Sequence, residues 1–228
     1  MSAENITDER MSEFLDKIRF RQISFDIDGV NADTAKSAVN LYNLQFSDGK
    51  TVTDLDGFYA MRDWIFEKTN SRNLAIEMAI KIWNDENVQG YCPMVSGAWF
   101  LSNYLYLNGI KPHYITSRPF FTRDVTLDWF GRNMPFVDSG HIHVGNGGGL
   151  QGSYKTQTIK DLGVDIHFED SIEHALDIVE NTPALVVLVR QPWNLKFDVN
   201  HPRMVVSDYN PLVPKLFLAY ADLVMSDI

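Results

Sequence analysis

The sequence predicts an α/β fold of the doubly wound kind: a Rossmann-like parallel sheet with helices on both faces and a helical cap inserted after the first strand. Three observations carry that expectation. Short apolar, β-rich runs recur at 18–27, 111–116, 141–144, 164–169 and 184–190. Stretches with helical spacing at 121–133, 154–163 and 171–181 separate the later runs, and each is long enough for a right-handed crossover between parallel strands. The first two runs break this rhythm, because more than 80 residues rich in Trp, Tyr, Met and charge, without a strand pattern, lie between DIDG and YIT. The segment SGAWFLSNYLYLNGIKPHYIT then reads as helix, Gly stop and strand, which returns the chain to the sheet. The expected division is a core of 1–32 and 96–228 with an inserted helical unit at 33–95.

Composition narrows the function classes. A chain of 228 residues that is 45% apolar can bury a sizeable core. Its 20 Lys and Arg stand against 30 Asp and Glu, a formal charge of −10, and a field of that sign repels nucleic-acid polymers. A small phosphorylated substrate fits better, provided a local cation meets it. Cys92 is the single cysteine, which excludes an internal disulfide and a Cys-rich zinc site and suits a reducing cytosol; it is expected in the core. The opening MSAENITDERMSEFLDK is polar and unlike a signal peptide, and ALVVLV at 184–189 is far too short to span a bilayer. A cytoplasmic protein with no membrane partner is expected.

The chemistry concentrates at the predicted strand ends. In ISFDIDGV, Asp26 and Asp28 are two apart and share one face of the strand, while Gly29 permits a sharp turn. Carboxylates at the carboxyl end of a central parallel strand sit where open α/β sheets bind ligands, although a strand can also simply end in two solvated Asp residues. A calcium loop does not fit, since the fifth and twelfth positions from Asp26 are Val30 and Ser37. The second strand closes with Thr116, Ser117 and Arg118, two hydroxyls and a guanidinium that can bond phosphate oxygens. The fourth closes with Glu169 and Asp170, oxygen ligands of the kind Mg²⁺ prefers, and Lys155 opens the helix before it. Each feature alone has a structural reading as a cap, a loop or a solvated charge. Together they supply a nucleophile, an acid/base partner, hydroxyl donors, a cation and a metal site, the set that phosphoryl transfer through an aspartyl phosphate requires.

DIDGV, ITSRP, the Lys155 helix and FEDS, in that order, resemble the four motifs of the haloacid dehalogenase (HAD) superfamily of aspartate-nucleophile phosphatases. VRQPWN after the fifth strand and TSRP before it are similar to the 5'(3')-deoxyribonucleotidase-like branch. The resemblance implies that Asp26 attacks phosphorus, that Asp28 protonates the leaving oxygen and then activates water, and that Thr116 and Lys155 hold phosphoryl oxygens. It further implies that Asp26, the Asp28 carbonyl and Asp170 ligate Mg²⁺. Glu169 stands where that branch often has Asp, which leaves open a metal contact shifted by one residue. Ser117 and Arg118 are expected at the substrate. The implied activity is a Mg²⁺-dependent phosphomonoesterase on (deoxy)nucleoside monophosphates; another small metabolite such as a sugar phosphate, or a non-catalytic binding protein of the same fold, remains open.

Two other patterns compete. GNGGGLQG sets Gly147, Gly149 and Gly152 in a dinucleotide-binding spacing, but too little chain follows for the second half of such a fold. His141 and His143 share a strand face and suggest zinc without an evident third ligand. In the insert, Phe58, Tyr59, Trp64, Phe66 and Trp83 could stack a base, yet most suit helix packing equally well.

Overall fold

The computed structural model describes residues 21–57, 59–145 and 154–207. The glycine-rich stretch at 147–152, Phe58 and the start of the first predicted strand lie outside them. A six-stranded, all-parallel sheet forms in the order β3-β2-β1-β4-β5-β6. Its strands are β1 (Ile23–Phe25), β2 (His113–Thr116), β3 (Ile142–Val144), β4 (Ile166–Glu169), β5 (Leu185–Val189) and β6 (Met204–Ser207). The first five follow the sequence pattern. β6 adds a short edge strand that the pattern does not mark, and β1 stops at Phe25, so Asp26 and Asp28 stand just beyond it.

Eight helices complete the described chain: α1 (Thr34–Phe46), α2 (Ala60–Thr69), α3 (Arg72–Trp83), α4 (Glu86–Gly90), α5 (Ala98–Leu107), α6 (Arg123–Asn133), α7 (Tyr154–Leu162) and α8 (Ile172–Asn181). Alternation along the strands feeds two cores. Tyr114, Val187 and Val189 face the layer of Leu101 and Leu105 from α5 and Trp129 and Phe130 from α6, whereas Ile115, Val186 and Leu188 face Ile159 of α7 and Ile178 of α8. Both faces of the sheet are therefore covered, as continuous apolar strands demand. Phe25 stacks on Phe168 at 4.5 Å between ring centroids, which locks the central pair β1 and β4.

The inserted helices pack on one another. Ala38 and Tyr42 of α1, Trp64 and Ile65 of α2, and Ala75 and Ile82 of α3 share a buried cluster. Asp33 caps α1 by accepting from the Lys36 amide, and Ser71 caps α3 through Leu74. Chain leaving and chain returning lie side by side: Asp33 N donates to Pro93 O at 2.8 Å and Val95 N to Asn31 O at 2.9 Å. Cys92 is buried here, and burial pushes its thiol up to about 12, which makes it a packing residue. No helix among the described residues is long and apolar enough to cross a membrane.

At the amino end of the sheet His113 joins the two histidines of the H-x-H pattern. Its Nδ1 lies 3.0 Å from His143 Nε2, and its ring stacks on His141 at 4.6 Å. Burial, then the neighbouring imidazoles, lower His113 to about 4, and burial also lowers His143, His167 and His174. The unfolded chain takes up these protons from about pH 6.5 downward, whereas the folded chain takes them up only at lower pH, near 4 for His113 and His174. Stability should thus fall as pH drops from about 6.5 to about 4. Urea unfolding midpoints across that window should show the loss, and His113→Gln should flatten part of it.

Candidate active site

The strand order sets the site. β1 and β4 are adjacent at the point where the winding reverses, so the loops after them open onto the crevice that such sheets offer to ligands. Phe25 pairs with Phe168, and the Asp26 amide donates to the Phe168 carbonyl at 2.8 Å. That register brings Asp26 beside Glu169 and Asp170.

Lys155 reaches this junction from the first turn of α7. Its ammonium is 3.0 Å from Asp26 Oδ2 and 2.6 Å from Glu169 Oε2, with a side chain only 1% exposed. Burial alone would raise Glu169, but Lys155 overrides it and holds this carboxyl well below its usual range. The other Glu169 oxygen accepts from the Asp170 and Ser171 amides. Glu169 is thus held by Lys155, by its own loop and by His167, whose Nε2 lies 3.3 Å from Oε2. Asp170 differs: its Oδ2 accepts from the Trp193 indole N–H at 2.9 Å, while Asn194 holds its carbonyl at 2.8 Å.

Asp26, Glu169 and Asp170 each offer a carboxylate oxygen, all within 4.8 Å of one another. Burial, helped by the neighbouring carboxylates and opposed by Lys155, raises both Asp26 and Asp170 above their ordinary values. Three buried carboxylates facing one lysine leave surplus negative charge, and hard oxygen donors so arranged fit a divalent cation. Gly29 completes the fit. Its φ is +71°, and a Cβ there would lie 2.2 Å from Asp170 Oδ2, so both the turn and the close approach require glycine.

Asp28 is held on the other side. Arg118, with its side chain 2% exposed, donates Nη2 to Asp28 Oδ1 at 2.7 Å and Nε to Oδ2 at 3.0 Å; Thr116 Oγ1 adds a third contact at 3.2 Å. Burial would raise Asp28, but the guanidinium prevails and lowers it. Arg118 Nη1 donates to Thr126 Oγ1 at 3.0 Å, and the Arg118 amide donates to Thr116 Oγ1 at 3.2 Å. The sequence reading put Arg118 at the substrate; in the structure most of its donors go to Asp28 and Thr126. Ser117 Oγ and Asn31 Oδ1 are buried without a hydrogen-bond partner. Sequence reasoning missed Trp193, Asn194 and Asn31, whose Nδ2 donates to the Asp26 carbonyl at 2.6 Å. VRQPWN was the one signal that could have pointed to the first two.

Solved structures share this architecture. A HAD family hydrolase from Deinococcus radiodurans, whose description includes bound phosphate and sodium, superposes with a TM-score of 0.57 at 14% identity over 90% of this chain and 97% of its own. A Lactobacillus delbrueckii protein described as a "putative phosphoglycolate phosphatase" gives 0.55 at 18% identity over 83% and 94%. The chain has the HAD fold. No protein-family model matches it. Among curated proteins, "Putative nucleotidase BH1399" of Halalkalibacterium halodurans is 27% identical over 178 residues, 76% of this chain and 82% of that protein. "Putative nucleotidase YqfW" of Bacillus subtilis is 32% identical over 88 residues, and this match spans 38% of the chain and 42% of the Bacillus protein. The HAD fold accounts for the shared junction of β1, β2 and β4; chemistry at that junction rests on the side chains described above.

Proposed function

We propose that this chain is a phosphomonoester hydrolase that works through an aspartyl phosphate at Asp26 and acts on nucleoside monophosphates. The observation that carries the reading is the junction itself: Asp26 against Lys155 at 3.0 Å, converging with Asp170 and Glu169. The curated relatives, both named "Putative nucleotidase", favour the nucleotide substrate.

In the first half of the reaction an Asp26 oxygen bonds to phosphorus while the ester P–O bond breaks, and the leaving oxygen takes a proton from Asp28. In the second half Asp28 removes a proton from water as its oxygen attacks the phosphoryl group, which leaves as inorganic phosphate and restores Asp26. Because Arg118 keeps Asp28 ionised, the proton it passes on comes from outside the pair, and a phosphate monoanion carries one. In this reading Lys155, Thr116 and the Ser117 hydroxyl, which has no hydrogen-bond partner, bind phosphoryl oxygens. Mg²⁺ held by Asp26, the Asp28 carbonyl and Asp170 would offset charge on the transferring group.

Phosphate release from a panel of nucleotides, sugar phosphates and an aryl phosphate is the test. Turnover should require Mg²⁺ and stop on chelation; no metal-dependent release from any ester refutes the reading. Asp28→Asn should lower kcat by about 10²–10⁴, the usual worth of a positioned proton carrier. Steady-state kinetics on a good substrate would check it, with a near-normal rate assigning the proton transfer elsewhere.

A further inference from the structure

The two oxygens of Asp170, a side chain of a residue only 8% exposed, have unlike surroundings. Oδ2 accepts the Trp193 indole N–H at 2.9 Å, whereas no N–H or O–H of the described residues donates to Oδ1. The other carboxylate oxygens of the cluster are all engaged. Asp26 Oδ1 accepts from the Ile27 amide at 2.7 Å, and its Oδ2 faces Lys155 at 3.0 Å. Glu169 Oε2 meets Lys155 and His167, and Oε1 accepts from the Asp170 and Ser171 amides. A carboxylate oxygen buried beside two other carboxylates, with no donor of its own, is an open acceptor for a cation.

Trp193 is fixed from several sides. Its ring lies 3.0 Å from where a Gly29 Cβ would stand and packs against the buried cluster of the inserted helices. The turn that carries it is tied to the loops after β1 and β4: Gln191 Nε2 donates to the Gly29 carbonyl at 2.6 Å, and Asn194 Nδ2 to the Asp170 and Val189 carbonyls, both at 2.8 Å. Arg190 Nη1 braces the same turn through the carbonyls of Asn194 and Phe197, at 2.9 and 3.2 Å. An indole so held keeps Oδ2 occupied, and Asp170 can offer both oxygens to one ion only by breaking that bond. The consequence differs between cations. Mg²⁺ demands near-ideal octahedral geometry and is served by single carboxylate oxygens and water, while Ca²⁺ takes about six to eight oxygens and accepts both from one carboxylate.

We propose that Trp193 is a positioning residue for cation choice: it confines Asp170 to one ligand oxygen, Oδ1, and so biases the site toward Mg²⁺ and against Ca²⁺. This rests on the metal part of the phosphomonoester hydrolase reading and adds to it the residue that discriminates between cations. Trp193 acts through Asp170 alone. Hydrogen-bond partners of metal ligands ordinarily carry about 10–100-fold in metal affinity.

Calorimetric titration of the metal-free protein with Mg²⁺ and, separately, with Ca²⁺ tests this. Trp193→Phe keeps an aromatic ring and removes the N–H. Mg²⁺ binding should weaken by about tenfold while Ca²⁺ binding holds or tightens, so the ratio of the Ca²⁺ to the Mg²⁺ dissociation constant falls by at least as much. A tryptophan that merely supported the fold would weaken both ions alike. Equal weakening, an unchanged ratio, or a wild type that binds neither ion overturns the proposal. Should Trp193→Phe fail to fold, benzothienylalanine introduced at 193, which keeps the fused ring and carries sulfur in place of the N–H, is judged by the same ratio. Turnover is scored apart from binding. If the wild type hydrolyses no ester and the ratio still falls, the catalytic reading fails and the role of Trp193 stands; if it turns over with Mg²⁺ and the ratio does not move, the reverse holds.

Discussion

Asp26→Asn is expected to remove phosphate release altogether, a fall on the order of 10⁴-fold or more, because an amide oxygen cannot form the acyl phosphate on which the proposed reaction depends. The substitution is close to isosteric, and Lys155 keeps its 2.6 Å contact with Glu169, so the thermal midpoint should change little. Acid-quenched wild-type protein caught during turnover should carry a phosphoryl group on a peptide containing Asp26, and the variant should carry none. A variant that still turns over at near-normal rate would move the nucleophile to another residue.

Lys155→Met should have the largest effect on stability. Methionine fills much of the same volume but leaves Glu169, fully buried, and Asp26 without their cation. Breaking a buried pair by removing one partner costs about 3–5 kcal/mol, a large share of the stability of an ordinary domain. Urea denaturation of both proteins in metal-free buffer would measure it. Added Mg²⁺ should recover more stability in the variant than in the wild type, since a cation there takes over part of the lost compensation. A cost below about 1 kcal/mol would mean that the carboxylates are relieved in some other way, by protonation or by water.

How far the sequence could be read depended on whether the information was local. Strand ends were legible because sheet periodicity and the glycine after Asp28 mark them within a few residues, and the acidic, hydroxyl and lysine positions stand in short motifs. Which side chain meets which was not. Arg118 and Asp28 are 90 positions apart, and nothing near either announces that the guanidinium clamps the carboxylate. His113 escaped for a similar reason: it lies on β2 and joins His141 and His143 only through the β2–β3 register. The four residues of β6 have no flanking pattern to distinguish them from a loop. Individual helices of the insert were also not placed, because their aromatic residues fit packing and ligand contact equally well, and only the shared cluster around Tyr42 and Trp64 separates those uses.

The neighbouring passes of chain at 31–33 and 93–95, joined by an antiparallel bridge between Ala32 and Met94, have a bearing on how such a protein diversifies. The sheet sees the same two anchor points whatever is folded between them. Helices can lengthen, shorten or be exchanged there without shifting the register that sets Asp26 beside Asp170. Selection acting on what is recognised can therefore proceed separately from selection acting on what is done to it. If the proposed function holds, a transplanted insert joined at those two points would keep Asp26 beside Asp170 and could change which substrates reach them.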